Sequence, residues 1–259
     1  MKVAGVSYTD IDTLHRAITG RGSPTHANRV LALLSRMFSL AIKWGWRPGS
    51  NPVKGIERNA EHKRHRYLTG AELGRLTAAL DELRDQGAAN AVRLLLLTGA
   101  RRGELLAARW ADFDLDAGVW TKPGATTKQA STHSVPLSAA ACQLLADMKK
   151  RADSEWLFPA RRTPHRLNLS DAWAVLRKTA DIPDARLHDI RHTYASILAS
   201  AGLSLPIIGR LLGHTTAQTT LRYSHLRHDP LRLATERVSA VITGKPVAEP
   251  IPLKREHGR

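Results

Sequence analysis

The 259-residue chain is short of three things. It has one cysteine, Cys142, which excludes an intramolecular disulfide framework and a cysteine-based zinc module and fits a reducing compartment. It has no long apolar run. The longest aliphatic stretch, Val30 to Leu34, falls far short of a membrane span, and the opening Met1-Lys2-Val3-Ala4-Gly5 carries no apolar signal region. A soluble, cytoplasmic chain with no membrane partner is the expectation. Acidic residues are also scarce, 23 Asp+Glu against 39 Lys+Arg, for a formal charge of +16. That excess is unusual for an enzyme of small molecules and natural for a chain that meets a polyanion, nucleic acid first. A hydrophobic share of 42% still supports a sizeable core and argues against general disorder. The length suits one large domain or one and a half small ones.

The charge is uneven. Residues 1–66 hold 12 Lys/Arg and 4 Asp/Glu, so a quarter of the chain carries half the excess. A solvated basic surface would look the same, but the density in one segment favours a module that grips a nucleic-acid backbone. Thr9 and Asp12 have capping-box spacing and open a first helix that Gly20 and Gly22 close. Ser23-Pro24-Thr25 starts a second. In it Val30, Leu33, Leu34, Met37, Phe38, Ala41 and Trp44 recur at helical steps and predict one buried face. Arg29, Arg36 and Lys43, seven apart, form a stripe along its flank. Asn51 to Arg66 reads as a linker, ending in the basic cluster Lys63-Arg64-His65-Arg66. Lys63, Arg64 and Arg66, like the stripe, are candidate DNA contacts. His62 and His65 are too few for a metal site. The expected divisions are a partial helical domain over 1–60, a basic linker over 61–66, a second domain over 67–245 and a tail over 246–259.

The second region opens on Thr69 and Glu72, again at capping-box spacing. Ala91–Leu97 predicts an apolar helix broken at Thr98-Gly99, and a further helix is expected from about Arg101 to Arg109. From Trp110 to Leu137 short apolar pieces alternate with Asp, Gly, Pro and Thr, which predicts about three antiparallel strands with a loop near 123–131. Ser138 caps a helix to about Arg151. Further helices are expected at about 170–180, 187–201, 204–212, 216–225 and 229–243. The fold class is mainly α with a small antiparallel sheet (α+β).

Four clusters concentrate phosphate-binding and acid–base groups. In Thr98-Gly99-Ala100-Arg101-Arg102-Gly103-Glu104 a glycine turn delivers an arginine to a helix start, with a carboxylate three residues on. Arginine suits two phosphate oxygens at once, and Glu104 can orient it; a plain salt bridge at a helix start would read alike. Lys128, in a strand-to-strand loop, could donate a proton, although hairpin lysines are mostly just solvated. In 187–194, Leu187, Ile190, Tyr194 and then Ile197 form the expected buried stripe, with His188 and Arg191 emerging together beside it. A zinc site at His188 and His192 is a poor reading, because Asp189 stands where the zinc-protease pattern has glutamate; no metal and no cofactor are expected. Gly213-His214 is followed nine residues later by Tyr223, in a Thr- and His-rich segment beside Arg222.

Taken together, Thr98-Gly99-x-Arg101-x-x-Glu104, Lys128, His188-x-x-Arg191, Gly213-His214 and Tyr223 resemble, in order and spacing, the motifs of the tyrosine recombinases of phage-integrase type. Lys128 fits that pattern better than Lys122, standing eight residues before Pro136. The segment from Pro24 to Pro52 is similar to the later helices of that family's core-binding domain, without its earlier helices or an arm-binding domain. The resemblance implies cofactor-independent cleavage and rejoining of DNA. Tyr223 is then the nucleophile, forming a 3′-phosphotyrosine. Arg101, Arg191 and His214 hold the phosphate, Lys128 protonates the leaving oxygen, His188 handles the tyrosine proton, and Glu104 supports them. It also implies double-stranded recombination sites as partners, a homo-tetramer on DNA exchanging carboxy-terminal segments, and accessory bending or directionality factors. A type IB topoisomerase-like enzyme, a DNA-binding protein whose shortened front impairs activity, and a basic helical domain without chemistry are the competing readings.

Overall fold

The computed structural model describes residues 2–61, 64, 66–124, 131–224 and 242. The chain divides into two compact units, Met1–His65 and Arg66–Arg259.

In the first unit a short 3-10 turn, Val3–Gly5, precedes α1 (Tyr8–Gly20) and α2 (Pro24–Lys43). α1 starts earlier than Thr9, because Ser7 and not Thr9 caps it: the Ser7 hydroxyl accepts the Asp10 amide at 3.2 Å, and the Asp10 carboxylate accepts the Ser7 amide at 2.9 Å. The helices pack on each other through Ile11, Leu31 and Phe38, joined by Val53 and Ile56. The expected buried stripe of α2 is therefore rotated. Ala27, Asn28, Leu31, Phe38 and Ala41 face inward, whereas Leu33, Met37 and Trp44 are 61%, 54% and 53% exposed. With α1 its main helical neighbour among the described residues, α2 covers only one of its two apolar arcs. The linker-like segment also begins later than Asn51. Asn51 donates to the Ser35 carbonyl at 2.8 Å. Farther on, buried Asn28 binds the Asn59 amide (3.0 Å), the Asn59 carbonyl (2.8 Å) and the ring of buried His15 (3.2 Å).

Among the described residues of the second unit the helices are α3 (Gly70–Glu82), α4 (Gln86–Thr98), α5 (Arg102–Leu106), α6 (Ala139–Lys149), α7 (Ser170–Thr179), α8 (Leu187–Ser200), α9 (Leu205–Leu212) and α10 (Ala217–Leu221). Between α5 and α6 lie β1 (Phe113–Asp114), β2 (Val119–Lys122) and β3 (His133–Pro136), one antiparallel sheet in sequence order. The fold is thus mainly α with the small sheet expected. Thr69 and Glu72 form the expected capping box of α3, with reciprocal bonds of 3.2 and 2.8 Å, and Ser138 caps α6.

α4 is the centre of this unit. Ala88, Ala89, Ala91, Val92, Leu94 and Leu95 are all buried, and α3, α5, α6 and α8 pack around it. Its small residues let neighbours approach from several sides. α8 is likewise packed on two sides, by α4 and α9. The stripe expected for it holds at Ile190, with Leu187 and Tyr194 partly buried against the core, but breaks at Ile197, which is 53% exposed, while polar Asp189, Arg191 and Thr193 are buried. Arg191, expected to emerge from the helix, faces inward instead. Sequence expectations beyond Ser224, including a helix at 229–243 and the tail, lie outside the described residues, as do Lys63 and Lys128. No described helix is long and apolar enough to cross a membrane.

Candidate active site

The site is built where α4 ends. Gly99 adopts φ +61° as the C-cap of α4, a left-handed conformation that side chains resist. A Cβ there would also collide with the Tyr194 ring. The turn puts Arg101 at the N-cap of α5. α9 ends in the same way on Gly213, φ +64°, where a Cβ would lie 2.9 Å from the His133 ring.

Two guanidinium groups converge on these two glycine turns. Arg191 donates to the Gly99 carbonyl at 2.7 Å and to the Leu212 carbonyl at 2.6 Å. Arg101 donates to the neighbouring Gly213 carbonyl at 3.2 Å and to Glu104 at 2.6 Å. Arg191 is buried, whereas the Arg101 side chain keeps 28% exposure. Burial, and then the charge of Arg101, pull the Arg191 pKa down to about 10, so it is a cation at neutral pH held in a poorly solvated place.

Glu104 supports both sides of this cluster. Its second oxygen accepts from Lys122 Nζ at 3.1 Å, and both side chains are almost fully buried. Burial alone would raise the Glu104 carboxyl, but Lys122 and Arg101 hold it below its ordinary value. Burial lowers Lys122 in turn, against the pull of Glu104. Lys122 lies inward because Trp120 and Lys122 share the buried face of β2, and its ammonium sits 4.4 Å from the centre of the Trp120 ring. Lys122 is thus locked beside the arginines.

His214 follows the Gly213 turn. Its Nδ1 pairs with the Thr220 hydroxyl at 2.8 Å, which fixes the ring from α10. Burial and then Arg191 and Arg101 push its pKa down to about 4, so the ring is neutral near pH 7. Tyr223 follows α10 and is buried at 1% exposure among Ala195, Ala199, Ile208 and Leu212. Burial raises its hydroxyl pKa, opposed by Arg222 and Arg191. Its hydroxyl lies 2.7 Å from Nδ1 of His192, so the described partner of the tyrosine is His192, not His188. His188 touches the same assembly edge-on, its ring centre 4.8 Å from that of His192. Burial and then Arg191 lower its pKa. Leu187, His188, Ile190 and Arg191 line a hollow of about 340 Å³ with Leu95, Ala100, Arg102 and Gly103.

The second unit therefore gathers Arg101, Glu104, His188, Arg191, His214 and Tyr223 from widely separated segments of the chain. Among the described residues no group of His, Cys, Asp and Glu could hold a metal ion. Residues 66–229 match the family described as "Phage integrase family". The chain belongs to that family.

The integrase relatives include a shufflon-specific DNA recombinase of Escherichia coli, 32% identical over 85% of this chain and 58% of its own length. The integrase of Escherichia phage P2 is 30% identical over 81% of this chain and 58% of its own. This chain thus spans about three fifths of the length of these curated relatives. An integrase of transposon Tn1549, solved with a circular intermediate DNA, superimposes with a TM-score of 0.73, covering 91% of this chain and 86% of that one at 19% identity. A lambda integrase dimer bound to a core site gives 0.68, covering 86% and 81% at 19% identity. At such identities these structures show a shared fold.

Not every residue singled out from the sequence is placed as expected. Arg66 is committed within the second unit: it pairs with Glu72 at 2.6 Å and with Asp184 at 2.9 Å, which leaves it badly placed for the DNA contact expected of it. In the first unit Arg29, Arg36 and Lys43 are all exposed, although Arg29 also pairs with Glu61 at 2.9 Å. Lys122, Thr220, Arg222 and His192 carry contacts that motif spacing did not single out. Lys122 could have been flagged by its position two residues after Trp120 on a strand, and His192 by standing one helical turn after His188.

Proposed function

We propose that this chain is a site-specific DNA recombinase that cleaves and rejoins strands through Tyr223. The observation that carries the reading is the convergence of Arg101 and Arg191 on the Leu212–Gly213 turn, with His214 and the Tyr223 segment following directly. Two fixed cations and a neutral imidazole suit a phosphate that gains charge as it becomes five-coordinate.

The Tyr223 oxygen attacks the phosphorus, its proton passes to His188, and the O–P bond to the 5′-oxygen breaks. Arg101 and Arg191 hold the non-bridging oxygens, and His214 adds a hydrogen bond. Lys128 delivers the proton that the leaving 5′-oxygen needs, and the released strand end is a 5′-hydroxyl. A 5′-hydroxyl from another strand reverses the step. One phosphodiester is exchanged for a phosphotyrosyl ester of similar energy, so no nucleotide is consumed. Glu104 and Lys122 keep Arg101 in place. The partners of this reading are double-stranded recombination sites, a tetramer of this chain on paired duplexes, and accessory bending factors, in the cytoplasm. The Tn1549 and lambda integrases were solved on DNA, the latter also as a tetramer on a Holliday junction, which supports the reading.

The test uses nicked duplexes selected by this protein from a random-sequence library. Wild type should form an SDS-stable adduct with them and Tyr223→Phe none; an adduct with Tyr223→Phe would assign the nucleophile elsewhere. Arg191→Ala should slow adduct formation at least a hundred-fold, on the order of 3 kcal/mol of transition-state binding. Relaxation of supercoiled plasmid by monomers, without paired sites, would move the reading to a type IB topoisomerase.

A further inference from the structure

One residue in hydrogen-bond contact with the Tyr223 hydroxyl has no part in the reaction proposed above. His192 lies on α8, beside Arg191 and one turn after His188. Its Nδ1 is 2.7 Å from the Tyr223 oxygen, and its Nε2 is 3.4 Å from the Arg222 guanidinium. The ring is held on a third side by the edge-on ring of His188.

We infer that His192 is the positioning residue of Tyr223, donating a hydrogen bond from Nδ1 to the phenolic oxygen while Arg222 fixes the ring from the other side. Three observations carry this, and it rests on the reading of Tyr223 as the nucleophile. First, a guanidinium can only donate, so the ring nitrogen facing Arg222 is the acceptor. Second, the ring is neutral at neutral pH, since burial, then His188 and Arg222, push its pKa to about 4. A neutral imidazole carries one proton, which then sits on Nδ1 and points at Tyr223. Third, His192 and Arg191 are neighbours on one rigid helix, so the group holding the nucleophile and the group holding the phosphate share a frame.

The proton balance is distinct from that of a general base. His192 keeps its own proton throughout. The tyrosine loses its hydroxyl proton to His188, whose ring lies beside that of His192, and the Nδ1–H bond stabilises the phenolate that results. Tyr223 needs such help, because its burial opposes ionisation. A neutral donor aimed at one lone pair also fixes the direction in which the other can attack.

The experiment measures single-turnover adduct formation, DNA affinity and thermal melting for wild type, His192→Phe, His192→Asn and His192→Gln on the selected duplexes. His192→Phe should fall ten- to a hundred-fold in rate at unchanged affinity, the range set by a hydrogen bond to a charged group. His192→Asn, whose amide nitrogen comes close to the Nδ1 position, should recover most of the rate, and His192→Gln, which reaches too far, should not. A substrate with sulfur in place of the bridging 5′-oxygen separates the two ends of the reaction, because a thiolate leaves without a proton. Sulfur should not repair His192→Phe. Repair by sulfur would place His192 on the leaving-group side and overturn the inference, as would a wild-type rate in His192→Phe or equal loss in a well-folded His192→Asn. If wild type itself forms no adduct through Tyr223, the reading of the site fails first and takes this inference with it, a result distinct from each of the others.

Discussion

In the unit Met1–His65 the buried apolar cluster consists of Ile11, Leu31, Phe38, Val53 and Ile56, and its cations Arg36 and Lys43 lie in water. In the unit Arg66–Arg259 an apolar core runs from Leu68 to Ile190, and Lys122 and Arg191 are buried inside it. The same residue types thus do different work. A small unit has too much surface for its volume to bury much of anything. It leaves cations in solvent and supplements its few apolar contacts with the His15–Asn28–Asn59 network. The larger unit buries enough apolar surface to tolerate charges inside, on condition that each finds a carboxylate or a carbonyl. What faces outward in the first unit stays solvated, as the proposed grip on a DNA backbone needs; what faces inward in the second is fixed in advance for one geometry.

The sharpest way to break this comparison is to remove one carboxylate from each unit. Glu104→Gln should destabilise the second unit by about 3–5 kcal/mol, since it leaves Lys122 and part of Arg101 buried without a counter-charge. Glu61→Gln removes only the exposed partner of Arg29 and should cost about 0–1 kcal/mol. Urea unfolding of both variants gives the numbers, and equal costs would show that the two kinds of ion pair are not different. A smaller contrast is expected in the apolar side chains. Leu80, fully buried in the second unit, should cost about 2–5 kcal/mol when cut to alanine. Leu33→Ala should stay within about 0.5 kcal/mol, because its side chain is already in water. A large destabilisation at Leu33 would mean that something covers that face in solution. The smallest stability effect should come from reversing Arg29, Arg36 and Lys43 to glutamate. Melting should barely move, while the slope of log affinity for duplex DNA against log salt should flatten by about one for each phosphate that is no longer neutralised. An unchanged slope would turn the stripe away from DNA.

Much of this fold was legible in the sequence where the signal is local. The Thr69–Glu72 box, the Ser138 cap, the breaks at Gly99 and Gly213 and the three short strands all rest on residues within a turn of one another, and the structure has each of them. The rotated stripe of α2 shows where local signals stop. Both arcs of that helix are apolar, so periodicity finds an apolar helix but not the arc its neighbour covers. α8 adds the converse case, a helix packed on two sides whose polar residues are buried and whose Ile197 is not. The candidate site was legible as a set of residue types in order, because the family motif is a pattern of spacing. His192 was legible only as half of a poor zinc pair, since its real partner is 31 residues away.

The sequence by itself marked most helix boundaries to within a few residues, the short strands of the described residues and the order of the candidate motif residues, because caps, turns and spacing are properties of short stretches of chain. Only the tertiary structure decided which way the charged groups face. Arg101 reaches a carbonyl 112 residues away and Arg191 one 92 residues away; Arg66 turns to Asp184, 118 residues on. A cation in a sequence carries the same charge wherever it stands. Whether it grips a partner, braces a carboxylate or sits ready for a phosphate depends on what folding brings beside it and how much water is left there.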